Sequence, residues 1–217
     1  YPGGPTRFQE TWEWDGERWR ETHNHVLPPA GYWPAMTYDA KHSVTLRYGG
    51  ETLGGEIIES VLSDKLMAWD GRQWTELTPN GTRPPAMVKG LLAYDHGREV
   101  SVLYGGQVEG AGSEFYTDYL GLWEWDGSAW HEVDISGDAP LSSTLSALYY
   151  DTASETIVGL DSQGLWEWDG SAWLQRASHN QITGQSTNAF SYDSEREVLV
   201  RYFSSTDEEG EVIELWE

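Results

Sequence analysis

The chain contains no cysteine, so it can form no disulfide framework, thiolate nucleophile or thiolate metal site. Basic residues are scarce: 13 Lys plus Arg stand against 36 Asp plus Glu, for a formal charge of −23. A field of that sign repels phosphate backbones and anionic lipid surfaces, so neither a nucleic acid partner nor membrane insertion is expected. The ordinary use of such charge is a solvated surface. Apolar runs extend only a few residues, well short of the roughly 20 needed for a membrane-spanning helix. What the chain does have is 13 Trp and 24 Gly in 217 residues, a length that suits one large all-β domain and is short for several.

The tryptophans are not scattered. A motif Trp-x-Trp-Asp-Gly-x-x-Trp occurs at Trp12, Trp14, Asp15, Gly16 and Trp19, at Trp123, Trp125, Asp126, Gly127 and Trp130, and at Trp166, Trp168, Asp169, Gly170 and Trp173. A further copy, Met67, Trp69, Asp70, Gly71 and Trp74, changes only the first position, and Leu215-Trp216-Glu217 matches the opening of another. Twelve of the 13 tryptophans fall in this register; Trp33 alone does not. Self-similarity of this kind assigns the indoles to architecture.

Between these copies lies a second pattern, Tyr-Asp followed by a polar turn and an alternating apolar run, at Tyr38-Asp39, Tyr94-Asp95, Tyr150-Asp151 and Tyr192-Asp193. The first two runs end in Gly49-Gly50 and Gly105-Gly106, the later two in Asp161-Ser162 and Ser204-Ser205. The step from Asp39 to Asp95, and from Asp95 to Asp151, is 56 residues; from Asp151 to Asp193 it is 42. Val44, Leu46 and Tyr48 alternate with Thr45 and Arg47, a period of two that predicts strands. Asp-Gly flanked by aromatics predicts a hairpin. Each unit therefore reads as four short strands, and no segment carries a helical stripe. Repeats of 40 to 56 residues with four strands each are the pattern of a β-propeller blade, whose faces are buried by its neighbours. The expected inter-blade core is Trp12, Trp14, Trp19, Trp69, Trp74, Trp123, Trp125, Trp130, Trp166, Trp168, Trp173 and Trp216, and the turns are Asp15-Gly16, Asp70-Gly71, Asp126-Gly127 and Asp169-Gly170.

The order Tyr-Asp, Gly-Gly, Trp-Asp-Gly-x-x-Trp resembles the Kelch repeat, most closely the Trp-rich Kelch-like repeats of bacterial propellers, over nearly the whole chain. The resemblance implies that Ala35–Asp39, Leu91–Asp95, Ala147–Asp151 and Ala189–Asp193 are innermost strands lining a central axis. It implies that the Gly-Gly strand is second, the Trp-x-Trp strand third and the closing Trp the start of the fourth. Counting strands divides the chain into outer strands of a split blade over 1–27, blades over 28–79, 80–135 and 136–178, and inner strands of the split blade over 179–217. Closure of that blade would make a four-bladed ring, yet the third strand is then supplied twice, around Trp12 and around Trp216. Two arrangements stay open: an arc of a larger propeller, or a small ring whose surplus strand is displaced or given to a neighbour.

No catalytic constellation emerges. His23 and His25 lie two apart and His42, His96, His131 and His179 are dispersed, none beside a Ser and Asp in a nucleophile pattern. The aspartates of the Asp-Gly turns read as caps on local amides, and their spacing does not fit the sialidase Asp box. The cysteine-linked tyrosine of a Kelch-like copper oxidase is excluded by composition. Calcium is the one cofactor candidate, at the acidic stretch Ser204–Glu211, which lacks the spaced ligands of a calcium loop. Tyr32 and Trp33 break the repeat and could stack on a sugar ring or a protein side chain, or plug the mouth of the ring. The long loops Glu51–Asp64 and Gln107–Tyr119 diverge on a constant frame, which suggests a partner surface. The expectation is a non-enzymatic scaffold for protein partners or self-assembly, in an exported or surface setting of a bacterium. A carbohydrate-binding propeller is the alternative, followed by a lyase or hydrolase with an axial site.

Overall fold

The computed structural model describes residues 9–23, 26–54, 59–110, 116–141, 145–161, 164–178, 189–193, 195–196, 198–207 and 210–216. Every regular element among them is a β-strand. Strands β1 (Thr11–Trp14) and β2 (Trp19–Thr22) form a separate hairpin. After the short β3 (Gly31–Tyr32), the first four-stranded sheet runs through β4 (Ala35–Asp39) and β5 (Val44–Tyr48). A hairpin of β6 (Glu51–Gly54) and β7 (Glu59–Leu62) leaves it before β8 (Leu66–Trp69) and β9 (Trp74–Leu77) complete it.

The second sheet repeats the plan with β10 (Leu91–Asp95) and β11 (Val100–Tyr104). An excursion of β12 (Gln107–Glu109) and β13 (Tyr116–Asp118) follows, and then β14 (Leu122–Trp125) and β15 (Trp130–Val133). The third sheet contains β16 (Ala147–Asp151), β17 (Thr156–Asp161), β18 (Gly164–Trp168) and β19 (Trp173–Ser178) without an excursion. A three-stranded sheet of β20 (Ala189–Asp193), β21 (Val198–Asp207) and β22 (Gly210–Trp216) follows. All pairings within the four-stranded sheets are antiparallel, each strand pairing with the next one outside the excursions, and β4, β10, β16 and β20 lie side by side in that order.

Two sets of aspartates set the turns. Asp15 accepts the amides of Glu17 and Arg18 at 3.0 and 2.9 Å, and Asp70, Asp126 and Asp169 each accept the two corresponding amides. The glycine that follows has φ of +96°, +85°, +97° or +96° in Gly16, Gly71, Gly127 and Gly170, a backbone shape that costs other residues free energy. The second set, Asp39, Asp95, Asp151 and Asp193, closes the turn after each first strand. Asp39 accepts the His42 amide at 3.1 Å and Asp95 the Arg98 amide at 2.9 Å. Asp151 takes Ala153 at 2.9 Å and Asp193 takes Arg196 at 3.1 Å.

The core lies between sheets, as the alternation in the strands requires. The face carrying Trp125 and Trp130 meets Tyr48 of the preceding sheet, with ring centroids of Tyr48 and Trp130 5.5 Å apart. Trp173 and Tyr104 repeat the contact at 5.0 Å. Trp69, Trp74, Trp123, Trp125, Trp130, Trp166, Trp168 and Trp173 are all buried. At 150–250 Å² each, one such indole contributes roughly 4–6 kcal/mol as an upper bound. Polar contacts fix the stacking distance. Tyr48 donates to the Pro84 carbonyl at 2.7 Å and Tyr104 to that of Pro140. Each proline lies on the approach to the next sheet. Burial pushes the Tyr104 phenol up to about 12, so it remains a donor.

Two expectations are corrected. Trp12, Trp14 and Trp19 are not core: they are 48%, 53% and 63% exposed. The reason is the direction of packing. The other side of their hairpin, through Glu13 and Thr11, accepts the indole N–H groups of Trp69 and Trp74, each at 2.8 Å, which leaves the three indoles outward. Nor is a sheet divided between the two chain ends within one molecule, because β22 occupies the edge of β21 and β1 pairs only with β2 among the described residues. The indole of Trp216 lies outside the described side chains.

Candidate functional site

The topology gives the stacked sheets two unlike ends. The aspartate turns gather at one; at the other, the second strands finish and the excursions emerge. Gly49 and Gly50 make this exit, with φ of +71° and +103°, and a Cβ on Gly49 would come within 2.6 Å of the Met87 carbonyl. The Gly50 amide donates to Met87 at 2.8 Å, Met87 donates to Ser63 at 3.2 Å, and Ser63 donates to Gly50 at 2.9 Å. This backbone triangle ties the first excursion to the approach strand of the next sheet. Gly105 and Gly106 repeat the exit, donating to Gly121 and accepting from Tyr119.

Across this end Tyr32 pairs with Glu51 and Val88 with Gln107, equivalent bridges 19 residues apart in both cases. The next residues are Trp33 and Lys89, both with left-handed φ, 54° and 57°. The Lys89 ammonium stands 5.0 Å from the centre of the Trp33 ring, inside cation–π range. Tyr32 lies beside it at 6.0 Å between centroids. Tyr32, Trp33, Val61 and Tyr116 are 42%, 52%, 45% and 37% exposed. The two excursions touch: the Tyr116 phenol hydrogen-bonds Glu51, and burial together with that carboxylate pushes it upward. A cleft of 530 Å³ runs beside the first excursion, lined by Pro29, Thr52, Val61, Leu62, Asp64 and Lys65. Such a surface offers flat aromatic faces, a cation and short backbone edges, which suits stacking and hydrogen bonding to a polar partner.

Sequence reading singled out Tyr32 and Trp33 but left open whether they stack on a ligand or plug the ring, and it missed Lys89 as their partner. The signal was its alignment with Trp33 in the repeat. It also read the excursions as loops, whereas each contains a two-stranded ladder.

A second cleft, of 360 Å³, lies along the first strands and is lined by Met36, Tyr38, Tyr94, His96, Tyr149 and Tyr150. His96 sits between Tyr94 and Tyr150, at 4.8 and 5.3 Å between ring centres, a grouping that its place in the sequence did not announce. Desolvation pushes both phenols upward, so they act as neutral hydroxyls there, not as bases. His42 and His131 are committed to turn aspartates, at 2.8 Å from Asp39 and 2.8 Å from Asp126.

Among the described residues no group of three or more His, Asp or Glu is placed to hold a metal ion. Within Ser204–Glu211, Ser204 to Asp207 pair with Gly210 to Ile213; residues 208 and 209 and the acidic side chains of the stretch lie outside those described, as do His25 and His179.

No family model matches the chain, and no curated protein matches it. Among solved structures it is similar to a chain in a cryo-EM structure of RAG in complex with one melted RSS and one unmelted RSS. The TM-score is 0.55 at 15% sequence identity, over 96% of this chain and 74% of that one. At that identity the likeness concerns the fold alone.

Proposed function

We propose that the sheets are blades of a Kelch-like β-propeller with β4, β10, β16 and β20 along its axis, and that the chain is a non-enzymatic scaffold for protein contacts. Support for the architecture comes from the 56-residue step, the up-and-down order of each sheet and the repeated Trp-to-Tyr joints between sheets. The observation that carries the function is the excursion end. Two hairpins unlike in sequence leave the same Gly-Gly exit, touch through Tyr116 and Glu51, and hold Tyr32, Trp33, Val61 and Tyr116 outward. A rigid frame with variable aromatic projections is how binding surfaces are commonly built. An acidic, Lys-poor composition accords with an exported or cell-surface setting in a bacterium.

A photo-crosslinking side chain at Val61, compared with one at Arg72 in the opposite aspartate turns, tests the reading. Protein adducts formed from position 61 and not from 72 are expected; equal yields from both positions would refute it. A second reading, carbohydrate binding, is favoured by the exposed Trp33 face beside Tyr32. Retention on a polysaccharide column that Trp33→Ala abolishes, without protein adducts, would replace the first reading with the second.

A further inference from the structure

The two joints between the four-stranded sheets repeat three contacts. The phenol before each turn aspartate accepts an amide two residues after the equivalent aspartate of the preceding sheet: Tyr94 from Lys41 at 3.2 Å, and Tyr150 from Gly97. The side chain three residues after that aspartate covers the glycine of the next Asp-Gly turn. A Cβ on Gly127 would collide with the His42 ring, and Arg98 lies 3.0 Å from the Cβ place of Gly170. The third contact is the Tyr-to-Trp pair described above, nine residues beyond the aspartate.

At the β1–β2 hairpin this joint is half made. From the outer side Glu13 and Thr11 hold Trp69 and Trp74, whereas the equivalent indole N–H groups of Trp130, Trp168 and Trp173 have no acceptor among the described residues. The inner half has no occupant: Tyr38 is 55% exposed, nothing lies within 4 Å of the Cβ place of Gly71, and β1 has β2 as its sole strand partner among the described residues.

Strands β20 and β21 have the sequence for that place. Arg196 holds Asp193 at 2.8 Å as Arg98 holds Asp95 at 2.8 Å, and Tyr202 pairs with Ala189 as Tyr104 pairs with Leu91. In the four-stranded sheets, the residue eight beyond the aspartate pairs with the first position of the Trp motif: Arg47 with Met67, Leu103 with Trp123, Gly159 with Trp166. Arg201 pairs with Trp216. In β1 the equivalent of Trp216 is Trp12. The third-strand position is thus present twice, and β21 has one edge to offer.

We propose that β20 and β21 of a second copy of this chain fill the place beside β1, in the register Arg201 to Trp12, so that β20, β21, β1 and β2 form one four-stranded sheet shared by two molecules. It rests on the sheet-stacking architecture proposed above, not on what the excursion end binds. Strand β22, paired with β21 over seven residues, leaves that edge, and β1 takes its place over four, so the exchange gives up part of a ladder. The gain is a fourth strand, an amide of Glu195 for the Tyr38 hydroxyl, Arg196 over Gly71, and a third sheet laid on Trp12, Trp14 and Trp19. The occupant is a second copy because, within one molecule, β20 packs beside β16 at the far side of the row from β4. The contact is heterologous, so successive copies close a ring or extend a fibre. Each copy carries −23, so salt strengthens association.

In the shared register Glu13 faces Val200, as Glu124 faces Val102 and Glu167 faces Val158. The natural chain has no cysteine, so the double variant Glu13→Cys, Val200→Cys reports this contact without background. Oxidation is expected to give covalent dimers and longer species on a non-reducing gel. A disulfide within one chain would assign the place to the molecule's own tail and overturn the second copy; two free thiols would overturn the place itself. Arg196→Ser keeps a turn of the kind that Asp151 and Ser154 make in the third sheet. In sedimentation of the otherwise natural chain it should weaken association roughly fivefold, the size of one modest interfacial contact, and unchanged association would refute the joint. Either failure leaves the Val61 crosslinking result standing, so the two readings fall separately.

Discussion

The carbonyl of Trp33 accepts the amide of Lys89 at 3.0 Å, and the Lys89 ammonium in turn lies 5.0 Å from the Trp33 ring centre. Both residues hold left-handed φ, where a side chain costs about 1–2 kcal/mol. Equivalent positions of adjacent sheets are thus joined by backbone and side chain at once, on the end from which the excursions project. Conformational strain is thus kept at a part-exposed ring and the cation over it, as it is at Ser43, Glu99 and Glu155 in the turns of the opposite end.

Trp33→Gly should therefore cost no more than about 2 kcal/mol, since relief of the strain offsets part of the packing lost with a ring that is half exposed. Urea unfolding measures this. A loss beyond about 2 kcal/mol would show that the ring plugs the sheets and is not presented to a partner.

Trp168 is fully buried while Trp14 is 53% exposed, although both are the second Trp of their motif. Trp168→Ala should cost about 3–5 kcal/mol and Trp14→Ala less than about 1 kcal/mol, by denaturant midpoints at dilute protein. Equal losses would mean that the hairpin indoles are covered in solution.

Tyr104→Phe removes the donor to the buried Pro140 carbonyl and should cost about 1–2 kcal/mol. Its raised folded value, about 12 against 10.0 when exposed, favours the folded state below pH 10. That contribution fades as pH rises from about 10 to about 12. Alkaline unfolding of the variant should be correspondingly shallower over this interval.

The turn carboxylates predict the acid limb. The His131 side chain, aided by the Ala129 and Ser128 amides, holds Asp126 well below the usual carboxylate range. Asp169 is lowered by Ser171 and by local amides, and Asp15 and Asp70 by local amides. Groups lowered on folding stabilise the protein above their unfolded value and lose that effect as pH falls below about 4. Asp126→Asn retains an acceptor for both amides but cannot titrate, so its melting temperature should fall less between pH 5 and pH 2 than that of the natural chain. An identical slope would refute the assignment.

How much of this was legible follows from range. The Asp-Gly turns and the strand alternation depend on neighbours a few residues away, so the sequence pattern located them, and the Kelch resemblance supplied the strand bounds Ala35–Asp39 and Leu91–Asp95. Exposure of Trp12, Trp14 and Trp19 depends on whether another sheet stands against them, which a repeat motif cannot encode. The meeting of His96 with Tyr94 and Tyr150, and of Lys89 with Trp33, joins separate sheets or approach strands and became visible only with the stacking. The excursions were hidden for another reason: Gly54-Gly55 and Gly110-Ala111-Gly112 dilute the alternation that marks a ladder.

The third sheet passes from β17 to β18 through a return in which the Gly164 amide and the Trp166 indole both converge on Asp161, at 2.8 and 3.2 Å. The first two sheets branch at the same point into hairpins anchored on their neighbours, so in the third sheet a single buried carboxylate takes the place that a pair of glycines and a hairpin hold in the others.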